Sequence, residues 1–141
     1  MMPANREANM DLPMPEIVNL LSRAFPKVQG IYIYGSTSGG TAGPASDVDL
    51  AVLSPEKIPD AKRFEIAQSL AAKIKQEVDL VDLRQTPTVF QFQVVTSGNL
   101  LKAQDPAACG RFEDLVYRSY MKLNEERAAI LKDVQSRGKV F

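Results

Sequence analysis

The sequence contains no histidine and a single cysteine, Cys109, among its 141 residues. Without histidine, Ser-His-Asp triads, Cys-His dyads and Cys/His zinc sites are all excluded. One cysteine cannot form an internal disulfide, and we interpret Cys109 as a passive or buried thiol. Any enzymatic chemistry must therefore depend on carboxylates, Lys, Arg, Tyr or a hard metal ion held by oxygen atoms.

An excess of charge and long apolar runs are absent as well. Lys and Arg together number 17, as do Asp and Glu, so the formal net charge is zero. This balance argues against a protein that holds nucleic acid through many phosphate contacts. No apolar run approaches the length of a membrane span, and residues 1–15 show no secretory signal. We therefore expect a cytoplasmic protein that binds neither a membrane nor, directly, a nucleic acid.

The length and the 45% hydrophobic content predict one domain with a modest core. Residues 1–14 are expected to be loose, and residues 15–141 are expected to form the domain. Helical and strand patterns follow one another along it. They predict a helix from Pro15 to about Pro26, strands over 30–34 and 47–53, a helix over 60–76, a strand over 77–83, a helix from Thr86-Pro87 to Gly98, a short strand over 99–104 and a long helix over about 111–136.

This order of elements predicts an α+β fold, or α/β sandwich, in which a mixed β-sheet carries helices mainly on one face. The first two strands can pair as a hairpin with a long loop, and the third follows a helix as in a βαβ crossover.

Tyr32 and Tyr34 are expected to pack in the sheet. The charged face of the long final helix is expected either to face solvent or to form part of a partner interface. In the helix over 60–76, the apolar stripe is expected to comprise Phe64, Ala67, Leu70, Ala71 and Ile74.

Two aspartates stand one residue apart where the second strand begins. Residues 35–50 read GSTSGGTAGPASDVDL, so that a Gly-Ser pair and a polar loop precede Asp47 and Asp49. At this spacing the two side chains point to the same face of a strand. Their repulsion would raise one pKa unless a cation lies between them. Mg²⁺ prefers carboxylate oxygens and shares its other positions with phosphates and water, so the pattern indicates a magnesium site.

The Gly-Ser end of the loop suits a phosphate group. Gly35 permits a positive φ and a close backbone approach, and the backbone N–H groups after it can form an anion-binding nest. The Ser36 hydroxyl can add a hydrogen bond to a phosphate oxygen. No Lys or Arg occurs from residue 28 to residue 56. Phosphate charge must therefore be met by metal ions, by backbone N–H groups and by Arg84 or Lys102 from elsewhere.

Two metal ions would require a third carboxylate, and the strand EVDLVDL offers two candidates. Asp79 and Asp82 differ by three positions and face opposite sides of a regular strand, so only one can join Asp47 and Asp49. Asp79 is favoured because its apolar neighbours would anchor it in the core, and Asp82 is the alternative. Such a site can bring an acceptor hydroxyl in line with the α-phosphorus of a triphosphate, with pyrophosphate leaving and Asp79 as general base.

The sequence resembles the GSx10DxD signature of the nucleotidyltransferase superfamily that includes DNA polymerase β. In this chain the signature is Gly35-Ser36, followed after ten residues by Asp47-Val48-Asp49. The resemblance covers residues 15 to about 105, and the chain is most similar to MntA-type antitoxins of HEPN–MNT toxin–antitoxin pairs. It implies two Mg²⁺ ions at Asp47, Asp49 and Asp79, and a triphosphate held by Gly35 and Ser36. It also implies that AMP passes from ATP to a tyrosine hydroxyl of a partner HEPN RNase toxin, which silences the toxin.

Two other functions remain open. The first is a nucleotidyltransferase that acts on a small-molecule hydroxyl, such as that of an aminoglycoside, although the short chain leaves little room for a substrate domain. The second is a non-catalytic module that neutralises a toxin by binding it. Many relatives carry an arginine just after Gly-Ser, and its absence from this loop favours the second alternative.

Overall fold

A four-stranded sheet and four α-helices make up the part of the chain that the structure describes. The computed structural model describes residues 12–35 and 47–138. The mixed sheet and the long final helix that the sequence predicts are confirmed. The elements are α1 (Met14–Ala24), β1 (Gly30–Tyr34), β2 (Val48–Leu53), α2 (Asp60–Ile74), β3 (Val78–Asp82), a 3₁₀ turn (Leu83–Gln85), α3 (Thr88–Ser97), β4 (Asn99–Ala103) and α4 (Pro106–Gly138).

The strand order in the sheet is β3-β2-β1-β4. Strands β1 and β2 pair antiparallel, as the hairpin interpretation requires, and β4 adds antiparallel to the other edge of β1. Strands β2 and β3 are parallel and are joined through α2. Because β2 and β3 run in the same direction, both strands start at the same end of the sheet. Strand β1 ends there, since it runs in the opposite direction.

The core lies on both faces of the sheet. Helices α1 and α2 pack on one face, and α3 and α4 pack on the other, whereas the sequence analysis expected helices mainly on one face. The reason is that β1 is apolar on both sides. Ile31 and Tyr32 point in opposite directions, yet their exposed fractions are only 0% and 2%. Two buried faces need two layers of helices.

Helix α2 turns a different residue toward the core than the sequence pattern predicts. Ala67 and Leu70 are buried as expected, but Phe64 is 67% exposed, so its assignment to the apolar stripe was wrong. The preceding residue, Arg63, takes the position nearer the sheet. Its guanidinium donates to the backbone carbonyl of Leu80 at 3.0 Å. Arg63, with its backbone partner on β3, therefore lies where the sequence pattern predicted the ring of Phe64.

Helix α4 begins at Pro106 rather than near residue 111. The Asp105 carboxylate accepts a hydrogen bond from the N–H of Ala108 at 3.1 Å, which caps the helix, and proline suits the first helical position. Residues 124–137 are all exposed, so this half of the helix extends beyond the domain core. No helix within the described residues is long and apolar enough to cross a membrane.

Lys75 ends helix α2 in the left-handed conformation, with φ of 59°. Its N–H and that of Gln76 both donate to the Ala71 carbonyl, an arrangement that glycine commonly completes. A Cβ is strained in this conformation, so we expect Lys75→Gly to raise the free energy of unfolding by about 0.5–1 kcal/mol. Urea denaturation measures the change. The matched control is Lys73→Gly inside the helix, which should lower the free energy of unfolding by about 1 kcal/mol. If both variants lowered the free energy of unfolding, the explanation would be contradicted.

Candidate active site

Three aspartates lie at the end of the sheet where β2 and β3 start. Asp47 immediately precedes β2, Asp49 is the second residue of β2, and Asp79 is the second residue of β3. Asp49 and Asp79 are direct partners in the parallel register, so their side chains project from the same face of the sheet. Asp49 is half-buried, whereas Asp47 and Asp79 are exposed. The structure therefore brings the two strand aspartates side by side, with Asp47 at the same end of the sheet.

Gly35 lies next to these carboxylates at the end of β1. Tyr34 is the antiparallel partner of Asp49, and Gly35 follows with φ of 76°. A Cβ on Gly35 would collide with the Asp49 carboxylate. Both the conformation and the close approach therefore require glycine. Ser36, the other residue predicted to bind phosphate, lies outside the described residues.

The carboxylates act on one another electrostatically. Burial raises the pKa of Asp49, and the negative charges of Asp79 and Asp47 raise it further. Burial also raises the pKa of the Tyr34 hydroxyl well above its usual range, with additional contributions from Asp79 and Asp49. Tyr34 therefore remains a neutral phenol. The site brings negative charges together, and a bound proton or cation would reduce the repulsion between them.

The donor set fits a hard divalent cation. No group of three or more acidic, cysteine or histidine side chains in residues 12–35 and 47–138 is already gathered closely enough to hold a metal ion. The donors at this end of the sheet are nevertheless all carboxylate oxygens, which Mg²⁺ prefers. Burial and, after it, the negative charges of Asp79 and Asp47 raise the pKa of Asp49, and a bound cation would oppose this rise.

Asp82 belongs to the opposite face of the sheet. It is only 5% exposed, and its Oδ2 atom accepts a hydrogen bond from the N–H of Ile58 at 2.8 Å. Its Oδ1 atom is buried and has no hydrogen-bond partner among the described residues. Asp82 thus fixes the loop before α2. Of the two candidates for a third carboxylate, the structure brings Asp79 and not Asp82 to Asp49.

The two basic residues considered for phosphate binding lie elsewhere. Arg84 follows the far end of β3, where it donates to the carbonyl of Ser54 at 2.9 Å and to the Gln29 side chain at 2.7 Å. Lys102 is the β4 partner of Ile31, on the part of β1 away from Gly35. The prediction that Arg84 or Lys102 supplies the missing positive charge was therefore wrong. Arg84 instead ties β3 to the segment before β1.

Helix α3 contributes a wall that the sequence analysis did not assign to the site. A cavity of about 240 Å³ opens beside Gly35. The rings of Tyr34 and Phe90 meet edge to face, with centroids 5.3 Å apart and an interplanar angle of 83°. The helical spacing of the α3 residues was visible in the sequence, but their position beside β1 was not. The cavity is lined by Tyr34, Gly35, Phe90, Gln93, Val94 and Ser97.

Comparison with known proteins identifies the family. Residues 16–107 match the family model described as Polymerase beta, Nucleotidyltransferase. The chain belongs to the polymerase β nucleotidyltransferase family. This nucleotidyltransferase is 42% identical over 123 residues to the protein adenylyltransferase MntA of Shewanella oneidensis, and the alignment covers 86% of each chain. The resemblance to MntA-type antitoxins is therefore confirmed.

Solved structures agree with this assignment. A crystal structure of a toxin-antitoxin with AMP-PNP contains a chain similar to this nucleotidyltransferase, with a TM-score of 0.78 and 40% identity, over 88% of this chain and 99% of that one. A structure of tri-AMPylated Shewanella oneidensis HEPN toxin in complex with MNT antitoxin gives a TM-score of 0.72 and 36% identity, over 91% and 98% of the respective chains. The chain is thus a nucleotidyltransferase whose structural relatives occur in toxin–antitoxin complexes.

Proposed function

We propose that this nucleotidyltransferase is an antitoxin that transfers AMP from ATP to a tyrosine hydroxyl of a partner HEPN-family RNase toxin, in the cytoplasm. The observation that carries the proposal is the direct pairing of Asp49 with Asp79 beside Gly35. The similarity to a protein adenylyltransferase, and to an antitoxin bound to AMPylated HEPN toxin, supports the reaction and the partner. AMP on the tyrosine would silence the toxin.

Within this proposal, Asp47, Asp49 and Asp79 hold Mg²⁺, in two positions as in other nucleotidyl transfers. When bound, the metal neutralises phosphate charge and orients the triphosphate. Gly35 and Ser36 contact the triphosphate through backbone N–H groups and the serine hydroxyl. Since no Lys or Arg occurs from residue 28 to residue 56, this segment offers the triphosphate backbone N–H groups and the metal but no basic side chain.

Asp79 is proposed to receive the proton. It is exposed, whereas Asp49 is half-buried, so the hydroxyl of another protein can reach Asp79 more easily. The tyrosine oxygen attacks the α-phosphorus and forms a new P–O bond while the bond to pyrophosphate breaks. The hydroxyl proton passes to the Asp79 carboxylate. Tyr34 remains a protonated phenol, so it cannot take up this proton in place of Asp79.

A macromolecular acceptor is favoured over a small molecule. Helix α4 presents Ile130, Leu131 and Val134 with 62%, 62% and 56% of their surface exposed. Exposed apolar side chains of this kind mark surfaces that another protein covers. This observation favours a protein partner over an aminoglycoside.

The direct test incubates the protein with its HEPN partner, Mg²⁺ and ATP labelled at the α-phosphate. We expect label and the mass of AMP on a toxin tyrosine, no transfer from γ-labelled ATP, and loss of transfer when EDTA removes the metal. An Asp47→Asn/Asp49→Asn variant that still neutralised the RNase without transferring label would establish the binding-module alternative. Transfer to a purified aminoglycoside without any protein partner would establish the small-molecule alternative.

A further inference from the structure

The cavity between the end of β1 and helix α3 has no role in the reaction as described so far. We infer that it binds the base of the donor nucleotide and that Gln93 recognises adenine there. This inference rests on the proposed function, because it assigns a substrate contact to the same site. It identifies α3 as the element that sets nucleotide specificity.

The location of the cavity follows from the strand order. In the order β3-β2-β1, Asp79 lies on β3, Asp49 lies on β2, and the cavity opens at the end of β1. The cavity and Asp79 therefore lie on opposite sides of Asp49. A nucleotide whose phosphates lie at Asp49 can extend its base toward α3, while the acceptor approaches the exposed Asp79. The two substrates then do not compete for space.

The residues of α3 that line the cavity lie on one face of the helix. Phe90, Gln93 and Ser97 are separated by three and four residues, so they lie on one face of the helix. Phe90 supplies an aromatic surface next to Tyr34, with the ring centroids 5.3 Å apart. Val94, which is fully buried, closes the floor. An aromatic and aliphatic surface of this kind suits the face of a nucleobase.

Gln93 provides the polar contact. Its side chain is exposed, it lines the cavity, and it makes no hydrogen bond within residues 12–35 and 47–138. A glutamine amide offers a donor and an acceptor in a single plane. This pair matches the acceptor N7 and the donor amino group of adenine, whereas guanine presents two acceptors at the corresponding edge. Gln93 is therefore suited to prefer ATP over GTP.

The size of the cavity limits what it can hold. At about 240 Å³ it is smaller than the roughly 300 Å³ typical of a pocket for a whole drug-sized ligand. One ring system fits, and the ribose and phosphates must lie outside. A base inside the cavity with its triphosphate over the open carboxylates satisfies this limit. A tyrosine ring buried there would instead lie on the β1 side of Asp49, away from the proposed base Asp79.

The test measures kcat/KM for AMP transfer to the HEPN partner with ATP and with GTP as donors. Gln93→Leu keeps the approximate size of the side chain and removes the amide, so we expect the preference for ATP over GTP to fall about tenfold or more. Phe90→Ala should raise the KM for both nucleotides by about tenfold with little change in preference. The matched control Gln68→Leu makes the same chemical change at an exposed position of α2, on the other face of the sheet, and should alter neither value.

Two results would overturn the inference. One is an unchanged ATP preference in Gln93→Leu together with an unchanged nucleotide KM in Phe90→Ala. The other is a higher KM for the toxin with an unchanged KM for ATP, which would assign the cavity to the acceptor. If Phe90→Ala does not fold, Phe90→Leu replaces it. If wild-type protein transfers AMP to no partner, the proposed function fails, and calorimetric binding of ATP and GTP to the same variants still decides the inference.

Discussion

Asp49→Asn is expected to lower the rate of AMP transfer by about a hundredfold or more. The substitution keeps the shape of the side chain but removes the charge from the carboxylate that pairs with Asp79 and borders Gly35. Metal-assisted charge stabilisation supplies several kcal/mol in such reactions, and each 1.4 kcal/mol or so corresponds to a factor of ten in rate. Initial rates over a Mg²⁺ titration measure the loss, and excess Mg²⁺ should restore only part of it.

The same variant should be more stable than the wild type at neutral pH when Mg²⁺ is absent. Burial, Asp79 and Asp47 raise the pKa of Asp49 in the folded state above its ordinary value of 3.8. A raised carboxyl pKa contributes stability that is present below about pH 3.8 and is lost as the pH rises through the folded value. The stability advantage of the Asp49→Asn variant should therefore appear as the pH rises from 4 and then level off. Urea denaturation between pH 4 and 8 measures it, and a less stable variant at pH 7 would contradict it.

The Asp82→Ala variant tests which of the two aspartates of β3 is the third carboxylate. The Asp82 carboxylate is buried and accepts the Ile58 N–H at 2.8 Å, so its removal leaves a buried donor unpaired. We expect a loss of about 1–3 kcal/mol in the free energy of unfolding with AMP transfer retained. Asp79→Asn should show the reverse, with lost transfer and a stable fold. If Asp82→Ala abolished transfer and Asp79→Asn did not, the third carboxylate would be Asp82.

Alternation along strands explains why the candidate site could be predicted from sequence. The spacing of Asp47 and Asp49 predicts a common face if the strand conformation extends to Asp47, which the structure places immediately before β2. The spacing of Asp79 and Asp82 allows only one of them on that face. The crossover through α2 makes β3 parallel to β2 and brings Asp79 level with Asp49. The alternation along each strand is local and is carried by the sequence, whereas the register that pairs Asp49 with Asp79 is a tertiary contact that the structure supplies.

Contacts between distant segments could not be predicted in the same way. Arg84 bonds to Ser54 and Gln29, which are 30 and 55 residues away, so nothing near Arg84 in the chain indicates where its guanidinium lies. Phe64 follows the helical pattern as well as its neighbours do, yet its side chain is exposed while the adjacent Arg63 bonds to β3. The start of α4 is a different case, since the Asp105-Pro106 pair is a helix-start signal that the sequence analysis overlooked.

Gly35→Ala should affect both stability and activity. The left-handed φ of 76° costs a residue with a Cβ about 1–2 kcal/mol, and the added Cβ would collide with the Asp49 carboxylate. Relief of that collision requires the Asp49 carboxylate to move. Because a misplacement of about 1 Å can lower a rate by roughly a hundredfold, we expect a loss of AMP transfer of that order. Thermal unfolding and initial transfer rates measure the two effects separately.

Gly110→Ala is the matched control for this prediction. Gly110 lies within helix α4, and a Cβ there would meet no atom within 4 Å, so alanine should stabilise the protein by about 1 kcal/mol without changing AMP transfer. The same substitution thus has opposite effects on stability at two glycines, according to φ and the space available. If Gly35→Ala retained wild-type transfer, the close approach of Gly35 to Asp49 would not be needed for the reaction.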